Sequence, residues 1–215
     1  MVRITAELLA TAYAYINPLG QRELSLRSYQ IPMIENLAIT KDSYDVIDLS
    51  SNSLLSIENI PFLPNLCSLF LHDNEISKID PNLAQKIPNL KVLLLNNNNF
   101  YTIQDLYHLK QFNNLTQLSL INNEVCQCEN YRLYLIHLIP SLKVLDYNKI
   151  KDIEREESKT LFGDDSLDKI NNDHNTTKKT TLSIEQINEI KELIKNATSL
   201  AEMTKLEAML RKNQL

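Results

Sequence analysis

Glycine is nearly missing: Gly20 and Gly163 are the whole supply in 215 residues, where an average protein carries about 7%. Phosphate-cradling loops need several glycines close together so that the backbone can approach the anion, which excludes Walker-type and dinucleotide-binding fingerprints. No G-x-S-x-G, H-E-x-x-H or kinase set occurs either, so neither an enzyme nor a cofactor is expected. Cysteine is scarce and odd in number. Cys67, Cys126 and Cys128 come with no export signal and read as reduced thiols of the cytosol or nucleus. The alternative, a metal site around Cys126 and Cys128, lacks a second pair at ligand spacing. No apolar run reaches about 18 residues, and the start carries an acid, Glu7, where a signal peptide would be apolar. A soluble chain without a membrane span is therefore expected. Positive charge is short as well. With 22 basic against 27 acidic residues and a net charge of -5, the whole surface is not a nucleic-acid binder on its own.

What the chain has is one spacing, repeated. From Leu90 it runs Leu93, Leu95, Asn98, Phe100, Ile103. The same frame appears as Leu66, Leu69, Leu71, Asn74, Ile76, Ile79, earlier as Tyr44, Ile47, Leu49, Asn52, Leu54, Ile57, and later as Leu115, Leu118, Leu120, Asn123, Val125. The asparagines at 52, 74, 98 and 123 are spaced by 22, 24 and 25 residues, inside the range of a leucine-rich repeat. In x-L-x-L-x the two leucines face one side of a short strand and their neighbours face the other. The asparagine then turns the chain, its amide bonding backbone groups that a tight coil would leave unpaired. One repeat cannot bury its leucines alone, so the repeats are expected to stack into an α/β solenoid with a concave parallel β-sheet.

The ends should be capped. Leu8, Leu9, Ala12 and Ile16, opened by Thr5, predict a helix that Asn17-Pro18 terminates. A degenerate repeat follows, Leu24, Leu26, Tyr29, Ile31, Ile34, with tyrosine where asparagine should stand. At the far end, 131–140 reads as an apolar helix, 142–147 as a last strand, and 149–162 as a short helix. Prolines 61, 64, 81 and 88 fall in connecting stretches, where they cost no ladder bond. Composition shifts at Gly163. We expect a capped repeat domain over 1–162, a flexible linker over 163–182 rich in Asp, Asn, Lys and Thr, and a C-terminal helical hairpin over 183–215. The hairpin is signalled by the capping boxes Ser183-x-x-Gln186 and Ser199-x-x-Glu202, each opening an amphipathic face. It could be self-contained or could dock on another protein, since so small a pair buries little surface alone.

The frame also says which strand positions face the hollow: Glu23, Ser25, Arg27; Val46, Asp48, Ser50; Ser68, Phe70, His72; Val92, Leu94, Asn96; Gln117, Ser119, Ile121. Phe70, Val92, Leu94 and Ile121 put apolar surface at its middle, flanked by Asp48, His72 and Asn96. Contiguous apolar surface with a polar rim marks a protein contact, and a hollow suits an inserted helix; scattered surface apolars are the alternative. The candidate partner-binding set is Val46, Asp48, Phe70, His72, Val92, Leu94, Asn96, Ser119 and Ile121. His72 reads as a rim hydrogen-bonder, with no nucleophile identifiable beside it. Near the two ends, Arg22, Arg27, Lys149 and Lys151 could add phosphate contacts to a partner-bound RNA.

Val2-Arg3-Ile4-Thr5-Ala6-Glu7-Leu8, the stretch from Arg22 to Leu37, Asn130-Tyr131-Arg132-Leu133-Tyr134, Leu145-Asp146-Tyr147 and the tail from Ala197 to Glu202 resemble the A-prime family of the U2 small nuclear ribonucleoprotein. The likeness covers nearly the whole chain except the linker and is more specific than the leucine frame. It implies a non-enzymatic nuclear splicing scaffold that holds the first helix of an RRM protein, B-double-prime, in its concave face, the pair binding a U2 snRNA stem-loop. By position, that helix would cross Phe70, Leu94 and Ile121. It leaves 183–215 as a segment for other spliceosomal proteins. The leucine frame alone would equally permit a regulatory adaptor of a phosphatase or cytoskeletal partner.

Overall fold

The computed structural model describes residues 2–163. Apart from Gly163, the expected linker and helical hairpin lie outside these residues.

Thr5 opens helix α1 (Ala6–Thr11), its hydroxyl accepting the Leu8 N–H at 3.2 Å, with Glu7 in the first turn where the helix dipole favours an acid. The helix does not continue to Ile16 as the sequence predicts. At Ala12 the backbone becomes extended and strand β1 (Tyr13–Ile16) runs antiparallel to β2 (Arg22–Ser25). In the connecting turn Asn17 Oδ1 accepts the N–H groups of Leu19 and Gln21, and Gly20 holds φ +77. Tyrosines alternating with Ala14 and Ile16 suit a strand as well as a helix, and the deciding factor, a pairing edge on β2, is non-local. The segment is anchored by the fully buried Ile4, by Asn36 Nδ2 donating to Ile4 O at 2.7 Å, and by a two-bond Arg3–Glu35 pair.

The chain then coils through β3 (Val46–Asp48), β4 (Ser56–Ile57), β5 (Ser68–Phe70), β6 (Lys78–Ile79), β7 (Val92–Leu94), β8 (Gln117–Ser119), β9 (Val144–Leu145) and β10 (Asn148–Lys149). The main sheet has the order β1-β2-β3-β5-β7-β8-β9-β10, parallel through its middle and antiparallel at both edges, while β4 and β6 pair separately. Register aligns Leu24, Ile47, Leu69, Leu93, Leu118 and Leu145 in one inward file, each 0 or 1% exposed. The opposite side of the coils carries helical segments, α2 (Leu83–Lys86) and the 3-10 turns Leu37–Thr40 and Ile103–Gln111. Packed helices need about 8–10 Å and strands about 4.8 Å. The coils therefore fan outward and the sheet takes the concave side.

The asparagines stitch coil to coil. Asn74 Nδ2 donates to Leu71 O in its own coil and to Leu49 O in the preceding one, while its Oδ1 accepts the Leu54 N–H of that preceding coil. Asn98 repeats this with Leu95 O, Leu71 O and Ile76 N–H, and Asn123 with Leu120 O, Leu95 O and Phe100 N–H. Asn52 bonds Leu49 O and Leu26 O and accepts from both Tyr29 and Ile31. Each asparagine reaches back one coil. Position 29 begins the series, so tyrosine there forfeits no such link. The residue before each rung, Ser28, Ser51, Asp73, Asn97 or Asn122, is left-handed. Asn97, one of four consecutive asparagines at 96–99, donates from its amide to Asp73 and accepts from Asn122.

At the far end, α3 (Tyr131–Leu138) and α4 (Asp152–Phe162) pack together, with Tyr134 edge-on to Phe162. Two expectations shift here. The last strand is only Val144–Leu145, because Asp146 and Tyr147 turn left-handed, and Lys149 belongs to β10 rather than to the closing helix. Asp146 closes the edge: its Oδ1 accepts the Leu120 N–H and its Oδ2 the Tyr131 hydroxyl. Burial, with Asp146 beside it, pushes the Tyr131 hydroxyl far up. Arg132 fastens α4 through two bonds to the Glu154 carboxylate and one to Leu145 O.

That carboxyl is held below the ordinary glutamate range, first by the Arg132 hydrogen bond. A depressed folded-state pKa gives stability that is present above the unfolded value, about 4.3, and lost as pH falls through the folded one. Glu154→Gln should therefore flatten the acid limb of a stability–pH curve below about pH 4.5, measured by denaturant unfolding. An unchanged acid limb would refute this assignment.

Candidate functional site: the concave face

Strand register arranges the open face in three rows. One holds Glu23, Val46, Ser68, Val92 and Gln117; the next Ser25, Asp48, Phe70, Leu94 and Ser119; the last, by continuation, Arg27, Ser50, His72, Asn96 and Ile121. Of the nine candidates, Phe70, His72, Val92, Leu94, Asn96 and Ile121 are half-exposed and adjacent. Three are not open. Val46 is 1% exposed, Asp48 9% and Ser119 0%. Side chains of neighbouring strands converge on a concave face, so a short one loses its surface; Val46 lies between Glu23 and Ser68, both buried themselves. Among the described residues, Ser50 Oγ, Ser119 Oγ and His72 Nδ1 are buried without a hydrogen-bond partner.

The sequence reading missed the tyrosines that bracket this face. At one edge Tyr13 and Tyr15, rings 4.9 Å apart, stand on β1 beside Ser25 and Glu23. The Tyr15 hydroxyl donates to Glu23 Oε1 at 2.7 Å, and that bond, helped by burial, pushes it up to about 12. At the other edge Tyr147 is 58% exposed, and its hydroxyl accepts from Asn96 Nδ2 at 2.8 Å. Asn96 Oδ1 meanwhile accepts the Ile121 N–H. The signal for Tyr13 and Tyr15 was their alternation; Tyr147 reaches the face only because Asp146 and Tyr147 are left-handed.

The basic candidates form no single patch. Arg22 lies 3.8 Å from Asp45, and Arg27, Lys149 and Lys151 are exposed. Arg22 on β2 and Lys149 on β10 are six strand intervals apart, about 30 Å along the sheet. Cys126 Sγ donates to Leu120 O at 3.1 Å and Cys128 Sγ to Tyr101 O at 3.7 Å; burial pushes both thiols up. Among the described residues no cluster of three or more His, Cys, Asp or Glu side chains is placed to hold a metal, and no helix is long and apolar enough to cross a membrane.

A family model described as "Leucine-rich repeat" matches residues 1–174. The chain is 37% identical to the probable U2 small nuclear ribonucleoprotein A' of Caenorhabditis elegans, over 98% of its own length and 90% of the relative's. It is 36% identical to the U2 small nuclear ribonucleoprotein A' of Homo sapiens, over 100% and 90%. Among solved structures, a chain of the Drosophila melanogaster SNF/U2A' complex superposes with a TM-score of 0.76 at 40% identity, covering 80% of this chain and 99% of that one.

Proposed function

Because the chain belongs to the U2 small nuclear ribonucleoprotein A' family of leucine-rich repeat proteins, we propose that it is a non-enzymatic, nuclear scaffold of the U2 snRNP in pre-mRNA splicing. It seats a helix of a B-double-prime-like RRM protein on the concave face, and the pair binds a U2 snRNA stem-loop. The observation that carries this is the half-exposed band of Phe70, Val92, Leu94 and Ile121 with His72 and Asn96 at its rim. Such a surface, apolar at its centre and polar at its edge, is what a docked helix buries. The solved Drosophila relative is a chain of a complex with SNF.

The RNA role follows from charge. A net -5 chain lacks the broad positive surface that displaces counterions from a nucleic acid. Beside an RRM, whose sheet aromatics stack unpaired bases, Arg22 and Arg27 at one end or Lys149 and Lys151 at the other can add phosphate contacts without reading sequence. In a titration of the stem-loop across a salt series, this protein alone should bind weakly and the pair more tightly than the RRM protein alone. Equal binding by this protein alone and by the pair would overturn the scaffold reading. A pair no tighter than the RRM protein would remove the basic ends from the mechanism.

A further inference from the structure

Two carboxylates lie where a docked helix would cover them. Glu23 and Asp48, on adjacent strands of the concave face, are only 8% and 9% exposed. Among the described residues neither forms an ion pair: Arg22 is set against Asp45, and Arg27, at the same end, is exposed without a salt bridge. Glu23 is taken up internally, accepting from the Tyr15 hydroxyl and from Asn17 Nδ2 at 3.1 Å. Asp48 is not. Its Oδ1 accepts the Ser50 N–H at 2.8 Å, and among the described residues its Oδ2 has no hydrogen bond. Ser50, two residues on along the same face, is fully buried with its hydroxyl unpartnered. A helix laid over this end would strip the remaining water from a carboxylate, which is costly unless the helix brings a cation.

Spacing says where that cation sits. A helix rises about 5.4 Å per turn and strands lie about 4.8 Å apart, so a helix lying across the strands sets roughly one turn over each. Asp48, Phe70 and Leu94 are consecutive members of one row. Polarity says which way the helix runs. A helix is positive at its N-terminus and negative at its C-terminus; an exposed cation stands at each end of the face, Arg27 and Lys149, but the under-bonded carboxylate of Asp48 lies at one end, while at the other Asp146 is occupied by Tyr131 and the Leu120 N–H.

We propose that the partner helix lies with its N-terminal turn over β2 and β3, a lysine or arginine of that turn reaching Asp48 Oδ2 one turn ahead of the side chains that cover Phe70 and Leu94. This rests on the helix-docking reading above and adds to it a basic requirement and a direction. The probe is purified Drosophila SNF, titrated against the full chain over a salt series. Asp48→Asn keeps an acceptor for the Ser50 N–H, so the fold, checked by circular dichroism, should stand. Its affinity should fall roughly 10-fold with a shallower salt dependence. Asp48→Lys should lose more than about 100-fold, and changing the docking helix's basic residues to glutamate one at a time should restore binding only in the first turn. Asp48→Asn binding like wild type with the same salt slope would overturn the inference while leaving helix docking intact. Rescue from the last turn would overturn the direction. If wild-type protein and Leu94→Asp bind SNF equally, the docking reading itself fails, and the inference with it.

Discussion

Leu94→Asp should weaken binding of the RRM partner by at least about 100-fold, near 3 kcal/mol, the scale of an interface hot spot, while the protein stays folded. Leu94 lies at the centre of the band, flanked by Phe70 in the same row and half-exposed in the free protein. The carboxylate is hydrated there until a partner covers it, and only then is it desolvated without a counter-charge. The flanking Leu93 and Leu95 are fully buried on the other face, so the substitution leaves the core alone. Calorimetric titration with the partner and circular dichroism of the free variant test the two halves. Wild-type affinity would move the docking site elsewhere, and an unfolded variant would contradict the exposure of Leu94.

The second large effect is on stability. Asn98→Ala removes an amide that donates to Leu71 O, Leu95 O and Asn96 O and a carbonyl oxygen that accepts the Ile76 N–H, in a side chain 6% exposed. A buried polar group left unpaired costs about 1–3 kcal/mol, and this change orphans at least two, so a loss of about 3 kcal/mol is expected. At roughly 2–4 °C per kcal/mol for a domain of this size, Tm should drop by about 10 °C. Chemical and thermal unfolding measure it. A loss under about 0.5 kcal/mol, typical of an ordinary surface change, would show the ladder to be incidental. Partner affinity should fall less than stability does.

The contrast between these sites and the ends of the chain shows what the sequence could disclose. The leucine frame and the rungs at 52, 74, 98 and 123 were legible because each obeys a local rule: strand alternation points the leucines inward, and an asparagine is needed wherever the coil turns. The half-exposed band was legible for the same reason. Tyr13–Ile16 was not, since helix and strand periods both fit four residues and only the edge of β2, reached through the Asn17 turn, decides between them. The burial of Val46, Asp48 and Ser119 was equally hidden, because crowding on a curved face depends on neighbours more than twenty residues away. Tyr147 needed a left-handed turn that no periodicity announces. The use of the asparagines flanking the rung at 98 was not legible either: Asn97 forms a lateral side-chain row with Asp73 and Asn122, and Asn96 ties Tyr147 to the concave face.

The glycine shortage has a counterpart in the backbone. Thirteen non-glycine residues among those described hold a positive φ, against a single glycine, Gly20. A left-handed residue bearing a Cβ costs about 1–2 kcal/mol, less where a short polar side chain bonds locally, which is why serine, aspartate and asparagine fill the position before every rung. Glycine would remove that strain but would also give the unfolded chain more states to lose. By writing its bends in side-chain-bearing residues, the repeat array limits the freedom of its own denatured ensemble and omits flexible joints between coils. The concave face is then a preformed template. A partner docked there would spend little of the entropy of association on ordering it, and any conformational adjustment would fall on the partner.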